Sequence, residues 1–274
     1  MAATTADSLW YVYGVVPTTL ASSASPAGLD DAGVHVETDG PVAALVSVLD
    51  AASYAPERVE AASGDVEWLS PRAVAHDMVL TWASDQGPVI PMPMFSMFSS
   101  RDAVHAMLRE RAPRLADTLA RIGRGREYAL RVYRIDGELL GAIATMSPRL
   151  RELADSAATA SPGQRYLLER KIEAEKKTEV RAVTQQVVDE IVGALAAHAL
   201  ESARSPIPRL ADADAAARGA MVLNAAFLVA PAALAEFQRT LTDFVERYDG
   251  KGFRFDFTGP WPAYHFAGEA AHAG

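Results

Sequence analysis

The chain has 274 residues, 50% hydrophobic and 22% charged, so it can bury a substantial core, and at roughly 100–200 residues per domain its length predicts two modest domains. Lys and Arg number 26 against 35 Asp and Glu, and the net charge of −9 weighs against a nucleic-acid partner, whose phosphates attract cations. The absence of cysteine excludes disulfides, a thiolate nucleophile and cysteine-based zinc sites.

The opening residues, MAATTADSLW, lack the basic start and apolar run of a signal peptide. No window approaches the roughly 18 uninterrupted apolar residues of a membrane span. The expectation is a cytoplasmic protein with no membrane partner. Residues 9–16 (LWYVYGVV) are aromatic and β-branched and read as a buried strand ending at Pro17. Residues 22–33 form a Ser-, Pro- and Gly-rich loop. Residues 34–38 and 42–49 flank the turn signal Asp39-Gly40 and predict a hairpin. Residues 59–84 have helical spacing, with Val74, Met78, Leu80 and Trp82 on the apolar face. Residues 89–98 (VIPMPMFSMF) are apolar but hold two prolines, which cannot donate to a ladder. They predict an edge strand or an extended surface segment. Ser99 or Ser100 then caps a helix that Pro113 kinks or divides and that stops at Gly123 and Gly125.

After Gly125 the pattern begins again. Residues 127–135 alternate as a strand, residues 136–158 give one or two short helices broken near Pro148, and Ser161-Pro162 starts a long helix running to about residue 203. The first half of that helix, ERKIEAEKKTE, is almost all charge and predicts a projecting or solvated face. Its second half carries the stripe Val180, Val183, Val187, Ile191 and Leu195 and packs on a core. A short strand over 203–210, a polar link over 212–218 and a buried strand over 221–229 follow. The next helix turns Leu234, Phe237, Leu241, Phe244 and Val245 inward. Phe253, Phe255 and Phe257 alternate with Arg254, Asp256 and Thr258 as a half-buried strand. Strand, helix, strand, strand, helix, strand is the order of a ferredoxin-like domain. The fold class is therefore α+β in two domains: residues 1–124, mixed α/β, and residues 125–274, ferredoxin-like, including the long helix 162–203 and a tail, 259–274.

A search for chemistry yields no catalytic, cofactor or metal residues. The six histidines, His35, His76, His105, His198, His265 and His272, have no metal-ligand spacing and read as satisfied or exposed side chains. No nucleophile elbow, phosphate loop or dinucleotide fingerprint is present. The Gly123-Arg124-Gly125-Arg126 turn follows a helix and precedes a strand, the reverse of a phosphate loop. Glu173, Glu175 and Glu179 lie among lysines, which gives their acidities little reason to move. Two apolar features stand out. Met92, Met94, Phe95, Met97 and Phe98 form either an adaptable partner surface or gap-filling core. Trp261, Tyr264 and Phe266 end the chain in aromatics that either dock on its own domains, the favoured reading, or anchor a partner.

These segments resemble the gas vesicle protein family GvpF/GvpL, nearly end to end. The resemblance rests on LWYVYGVV at 9–16, VIPM at 89–92, SPGQRYL at 161–167, MVLNAAFLV at 221–229 and TGPWPAYHF at 258–266, the last two being the most specific. Many members have Arg-Phe-Gly-Thr after the mid-domain proline, where this chain reads Pro93-Met94-Phe95-Ser96-Met97. On that departure it resembles the F-like branch, and no role tied to that arginine carries over. The resemblance implies an accessory or minor structural protein in gas vesicle assembly, located with gas vesicles. It implies binding to the small hydrophobic shell protein and other accessory gas vesicle proteins, with no cofactor and no catalytic residues. Ferredoxin-like sheets also host ligand-binding and enzymatic functions, an alternative that requires a deep pocket with convergent polar groups.

Overall fold

The structure, a computed structural model, describes residues 8–20, 25–62, 64–208 and 218–268. The seven N-terminal residues, the start of the 22–33 loop, the end of the 203–210 segment, most of the 212–218 link and the tail beyond 268 lie outside the described residues. Two compact units form. One comprises residues 1–127 together with 260–274, and the other residues 128–259. The sequence assigns the tail, 259–274, to the second domain; its described residues 260–268 group with the first unit instead, where Tyr264 and His265 find their partners.

The first unit is built on an antiparallel sheet of β1 (Ser8–Pro17), β2 (His35–Asp39), β3 (Val42–Asp50), β4 (Ile90–Pro91) and β5 (Met97–Phe98). The order is β2-β3-β1-β4, with β5 also pairing β1. The predicted hairpin is present across the 39–42 turn. The proline-bearing segment forms the sheet edge, as its missing donors require, and is tied to β1 by Met92 N–H to Tyr13 O (2.9 Å) and Val12 N–H to Ser96 O (2.8 Å). Gly14 is needed where β4 crosses β1, since a Cβ there would lie 2.8 Å from the Ile90 carbonyl oxygen. Tyr13, fully buried, donates to Ser47 Oγ (3.0 Å) and accepts from Leu29 N–H (2.9 Å), which satisfies its hydroxyl inside the core.

Alternation along the strands sends Tyr11, Leu45 and Leu49 towards α2 (Val66–Gln86), which follows the short α1 (Pro56–Ala62) and is capped by Asp65. The buried side of α2 is His76, Val79, Leu80 and Ala83. Val74 and Met78, expected inward, are exposed. They sit half a turn away from Val79 and Ala83, and it is the latter pair that meets the sheet. The other sheet face receives α3 (Arg101–Ile122), which is one continuous helix with Pro113 inside it. Its packing through Val104, Leu108, Leu115 and Leu119 offsets the one backbone bond that the proline removes.

The second unit has the order β7-β8-β6-β9 from β6 (Arg126–Arg134), β7 (Glu201–Arg204), β8 (Ala220–Val229) and β9 (Phe253–Trp261). Numbered within the unit this is 2-3-1-4, the ferredoxin-like arrangement expected from the strand and helix order. The crossover between β6 and β7 holds α4 (Asp136–Met146), α5 (Pro148–Thr159) and α6 (Pro162–Ala196). The long helix stops at Ala196 rather than near 203, because residues 201–204 pair with β8. Its apolar stripe is buried from Val183 to Leu195, and α7 (Leu234–Tyr248) packs beside it. On α7 the buried row is Phe237, Leu241, Phe244 and Tyr248; Val245, expected inward, is exposed because Tyr248 continues the row one turn on.

The charged half of α6 is not a bare projection. Arg149 of α5 forms a two-pronged pair with Glu175 (2.5 and 3.1 Å), and Ser147 Oγ donates to Glu179 (2.7 Å). The Arg149 hydrogen bond holds the Glu175 carboxyl below its ordinary range, contrary to the sequence expectation. Gly252 closes the sheet at φ +83°, and a Cβ there would come within 2.4 Å of the Leu139 nitrogen. Gly252→Ala is expected to cost at least about 2 kcal/mol, combining a left-handed backbone with a backbone clash. A chemical denaturation midpoint at constant m-value checks it, and an unchanged midpoint contradicts the packing described.

Candidate functional site

The apolar Pro-Met-Phe segment is anchored from beneath. Tyr11 O–H reaches His76 Nδ1 at 2.7 Å and accepts a hydrogen bond from Phe95 N–H at 3.3 Å. His76, on the buried side of α2, also hydrogen-bonds the Met92 backbone. Burial pushes the His76 ring down to about 4, opposed by the smaller influence of Asp77, so at neutral pH it is an uncharged acceptor for Tyr11. Phe95 adopts a left-handed backbone, φ 66°, rare for a bulky residue. Its ring stacks on Trp68 with centroids 5.6 Å apart and meets Tyr11 edge-on. Arg72 lies 4.3 Å over the other aromatic partner, Trp68, and pairs with Asp30 at 2.7 Å. Met92 is therefore buried, Phe95 and Met97 pack partly on the core, and Met94 and Phe98 are half-buried.

The tail forms a clasp within the same unit. Phe266 is only 5% exposed, and its carbonyl oxygen accepts from Arg121 Nη2 (2.6 Å) near the end of α3. Glu127 is almost fully buried, and its two oxygens accept from His265 N–H (3.0 Å) and pair with His265 Nδ1 (2.6 Å). Tyr264 O–H donates to Asp77 on α2 (2.9 Å). The residue is 42% exposed, and its partial burial together with the Asp77 carboxylate raises its pKa. Trp261 stays 39% exposed. The clasp thus buries Phe266 and displays Trp261 and Tyr264. The backbone between them is fixed by charged groups from α3 and the start of β6.

Neither Glu127 nor Arg121 is marked by a sequence motif, because their partner is about 140 residues away. A second charged cluster is likewise unmarked by any sequence motif. His105 on α3 is 3.0 Å from both Glu37 and Asp39 of β2, with Arg101 and Arg109 completing it. Burial raises the Glu37 carboxyl, but hydrogen bonds from Arg101 and His105 outweigh this and leave it below its ordinary range. Among the described residues no group of three or more His, Cys, Asp or Glu side chains is placed to hold a metal ion. No helix among them is long and apolar enough to cross a membrane.

The profile of the family described as gas vesicle synthesis protein GvpL/GvpF matches residues 9–268, nearly the whole chain. The chain belongs to the GvpL/GvpF family. It is 28% identical to gas vesicle protein L1 of Halobacterium salinarum over 94% of this chain and 89% of that protein. It is 26% identical to gas vesicle protein L of a Streptomyces species over 96% of this chain and 94% of that protein. The crystal structure of GvpF from Anabaena superposes with a TM-score of 0.64 at 16% identity, covering 95% of this chain and 96% of that one. GvpF from Microcystis aeruginosa gives 0.63 at 20% identity, covering 94% and 98%. At these identities the likeness establishes the fold. Membership gives the protein a gas vesicle-associated role, in a family of gas vesicle structural and assembly proteins not known as enzymes. The curated relatives carry the L name and the solved structures the F name, so the F-like reading rests on the departure at residues 94–97 alone.

Proposed function

We propose that this GvpL/GvpF protein takes part in gas vesicle assembly by binding the shell protein and other accessory gas vesicle proteins, and that the C-terminal clasp presents part of the binding surface. The observation that carries this is the exposure of Trp261 and Tyr264 on a backbone pinned by Glu127 and Arg121. Rigid aromatics that are already ordered lose little entropy on binding, and such residues dominate interface energetics. Met94 and Phe98, half-buried in the same unit, offer adaptable apolar area of their own. Family membership supplies the kind of partner.

Affinity purification of the tagged chain co-expressed with the shell protein tests the reading. The wild type is expected to retain the shell protein, and Trp261→Ser to retain at least tenfold less while its unfolding midpoint moves little. Failure of the wild-type chain to associate with shell protein under any folded condition overturns the proposal. Full retention by Trp261→Ser removes the clasp from the binding surface.

A further inference from the structure

Two exposed apolar features lie outside the clasp, and they complement each other in charge. The first is on the sheet face that carries α3. Trp10 of β1 stands opposite Val48 of β3 and opposite Phe98 of β5, so the three side chains form one row across three strands. The helix begins only at Arg101, and β2 pairs β3 no further than Val46, so neither element reaches this corner of the face among the described residues. Val48 is exposed, and Trp10 and Phe98 are half-buried. The rim is acidic. Asp50 pairs in register with Ser8 next to Trp10, and Asp102 lines a shallow cleft together with Trp10, Ser8 and Ser99. Of the nearby cations, Arg101 is engaged by Glu37 at 2.8 Å, and Arg58, close enough to Asp50 to influence its acidity, hydrogen-bonds the Ala52 carbonyl, which leaves Asp102 as the unpaired acid of the rim.

The second feature is at the start of the long helix α6. Tyr166 and Leu167 are 59% and 66% exposed, side by side. Arg170 lies one turn on from both and Lys171 one turn on from Leu167, while Glu169 lies one turn on from Tyr166, so cations outnumber acids around this apolar turn. Among the described residues neither Asp102 nor Arg170 has an ion-pair partner, and Lys171 approaches Glu175 only at 4.0 Å.

We propose that the Tyr166–Leu167 turn of one copy docks on the Trp10 row of a second copy, with Arg170 and Lys171 facing Asp102 and Asp50. A Trp at the centre of an apolar row with a charged rim is the composition of an interface hot spot, and the opposite rims give the contact its register. The two surfaces differ, so the contact is head-to-tail and propagates into chains or rings rather than stopping at a two-fold dimer. An array of this kind gives an assembly protein many weakly held copies along a growing surface.

Sedimentation velocity of the full chain reads the association directly. Mass is expected to rise with protein concentration at about 50 mM salt and to fall back as salt is raised, since rim charges are screened. Trp10→Ser and Leu167→Ser are each expected to weaken self-association at least tenfold. Leu167 is exposed enough that its replacement leaves the fold intact. The decisive mixture combines the two variants. One retains an intact helix turn and the other an intact Trp10 row, so together they form a one-to-one complex that grows no further. Val36→Ser, at an exposed apolar position outside both features, leaves association unchanged. A monomeric wild type at all concentrations overturns the proposal, as does a mixture that stays monomeric or single variants that associate like wild type.

Discussion

Deleting residues 262–274 is expected to destabilise the first unit by about 5 kcal/mol or more, a large part of the 5–15 kcal/mol that a domain ordinarily holds. Phe266 is buried, and truncating a buried phenylalanine costs about 3–5 kcal/mol. Losing His265 also strands the Glu127 carboxylate, which has almost no access to water and accepts from that residue twice. Removing one partner of a buried pair costs about 3–5 kcal/mol, because the remaining charge is left uncompensated. The two costs overlap, since both act through one docked segment. Phe266→Ala alone should account for about 3 kcal/mol of the total. The four tryptophans, Trp10, Trp68, Trp82 and Trp261, all group with this unit, the last of them at the end of β9, so tryptophan fluorescence follows its unfolding most directly. The fluorescence transition should move to lower denaturant. A fluorescence midpoint indistinguishable from wild type in the deletion would mean that the tail does not dock as described.

Acidification from pH 6.5 to 4 should remove about 3 kcal/mol of stability through one side chain, His76. Burial holds its folded-state pKa at about 4, against an ordinary value of 6.5. Between these values the unfolded chain binds a proton that the folded chain refuses. The stabilisation is therefore complete above about pH 6.5 and is lost as pH falls through about 4. The geometry gives the same sign. A protonated ring can no longer accept from Tyr11 O–H, and the bridge from α2 through Tyr11 to the Phe95 backbone is broken. Carboxyls held below their ordinary range, Glu37 and Glu175 among them, lose their contribution mostly below this window. His76→Gln keeps a neutral polar side chain and should flatten the slope of stability against pH between 4 and 6.5. Denaturation midpoints followed by fluorescence at several pH values measure this, and an unchanged slope in the variant assigns the effect elsewhere.

The strands and helices were largely legible because each rests on a local period. The hairpin at Asp39-Gly40, the break at Pro148 and the alternating phenylalanines of β9 all follow from neighbours in the chain. Local patterns do not decide where two faces of a helix are equally apolar. Val74 and Met78 are as apolar as Val79 and Leu80, and only the position of the sheet chooses between the two faces of α2. Pro113 by its chemistry predicts a kink or a division, yet a helix held by packing along its whole length tolerates one missing donor.

By itself, the sequence determined the α+β class, the ferredoxin-like strand order and, through TGPWPAYHF and its companion segments, the gas vesicle family. These depend on residue spacing and on motifs that stay contiguous in the chain. Only the tertiary structure decided where the aromatic tail lies and which of its rings is covered. Glu127, Arg121 and Asp77 are separated from it by about 140 residues or more, and none is distinguished from other surface charges by its neighbours. Their meaning comes from burial and pairing, which arise when the chain closes on itself. Phe266 is inside and Trp261 outside because the clasp fixes the backbone between them, something no periodicity in a nine-residue segment could specify.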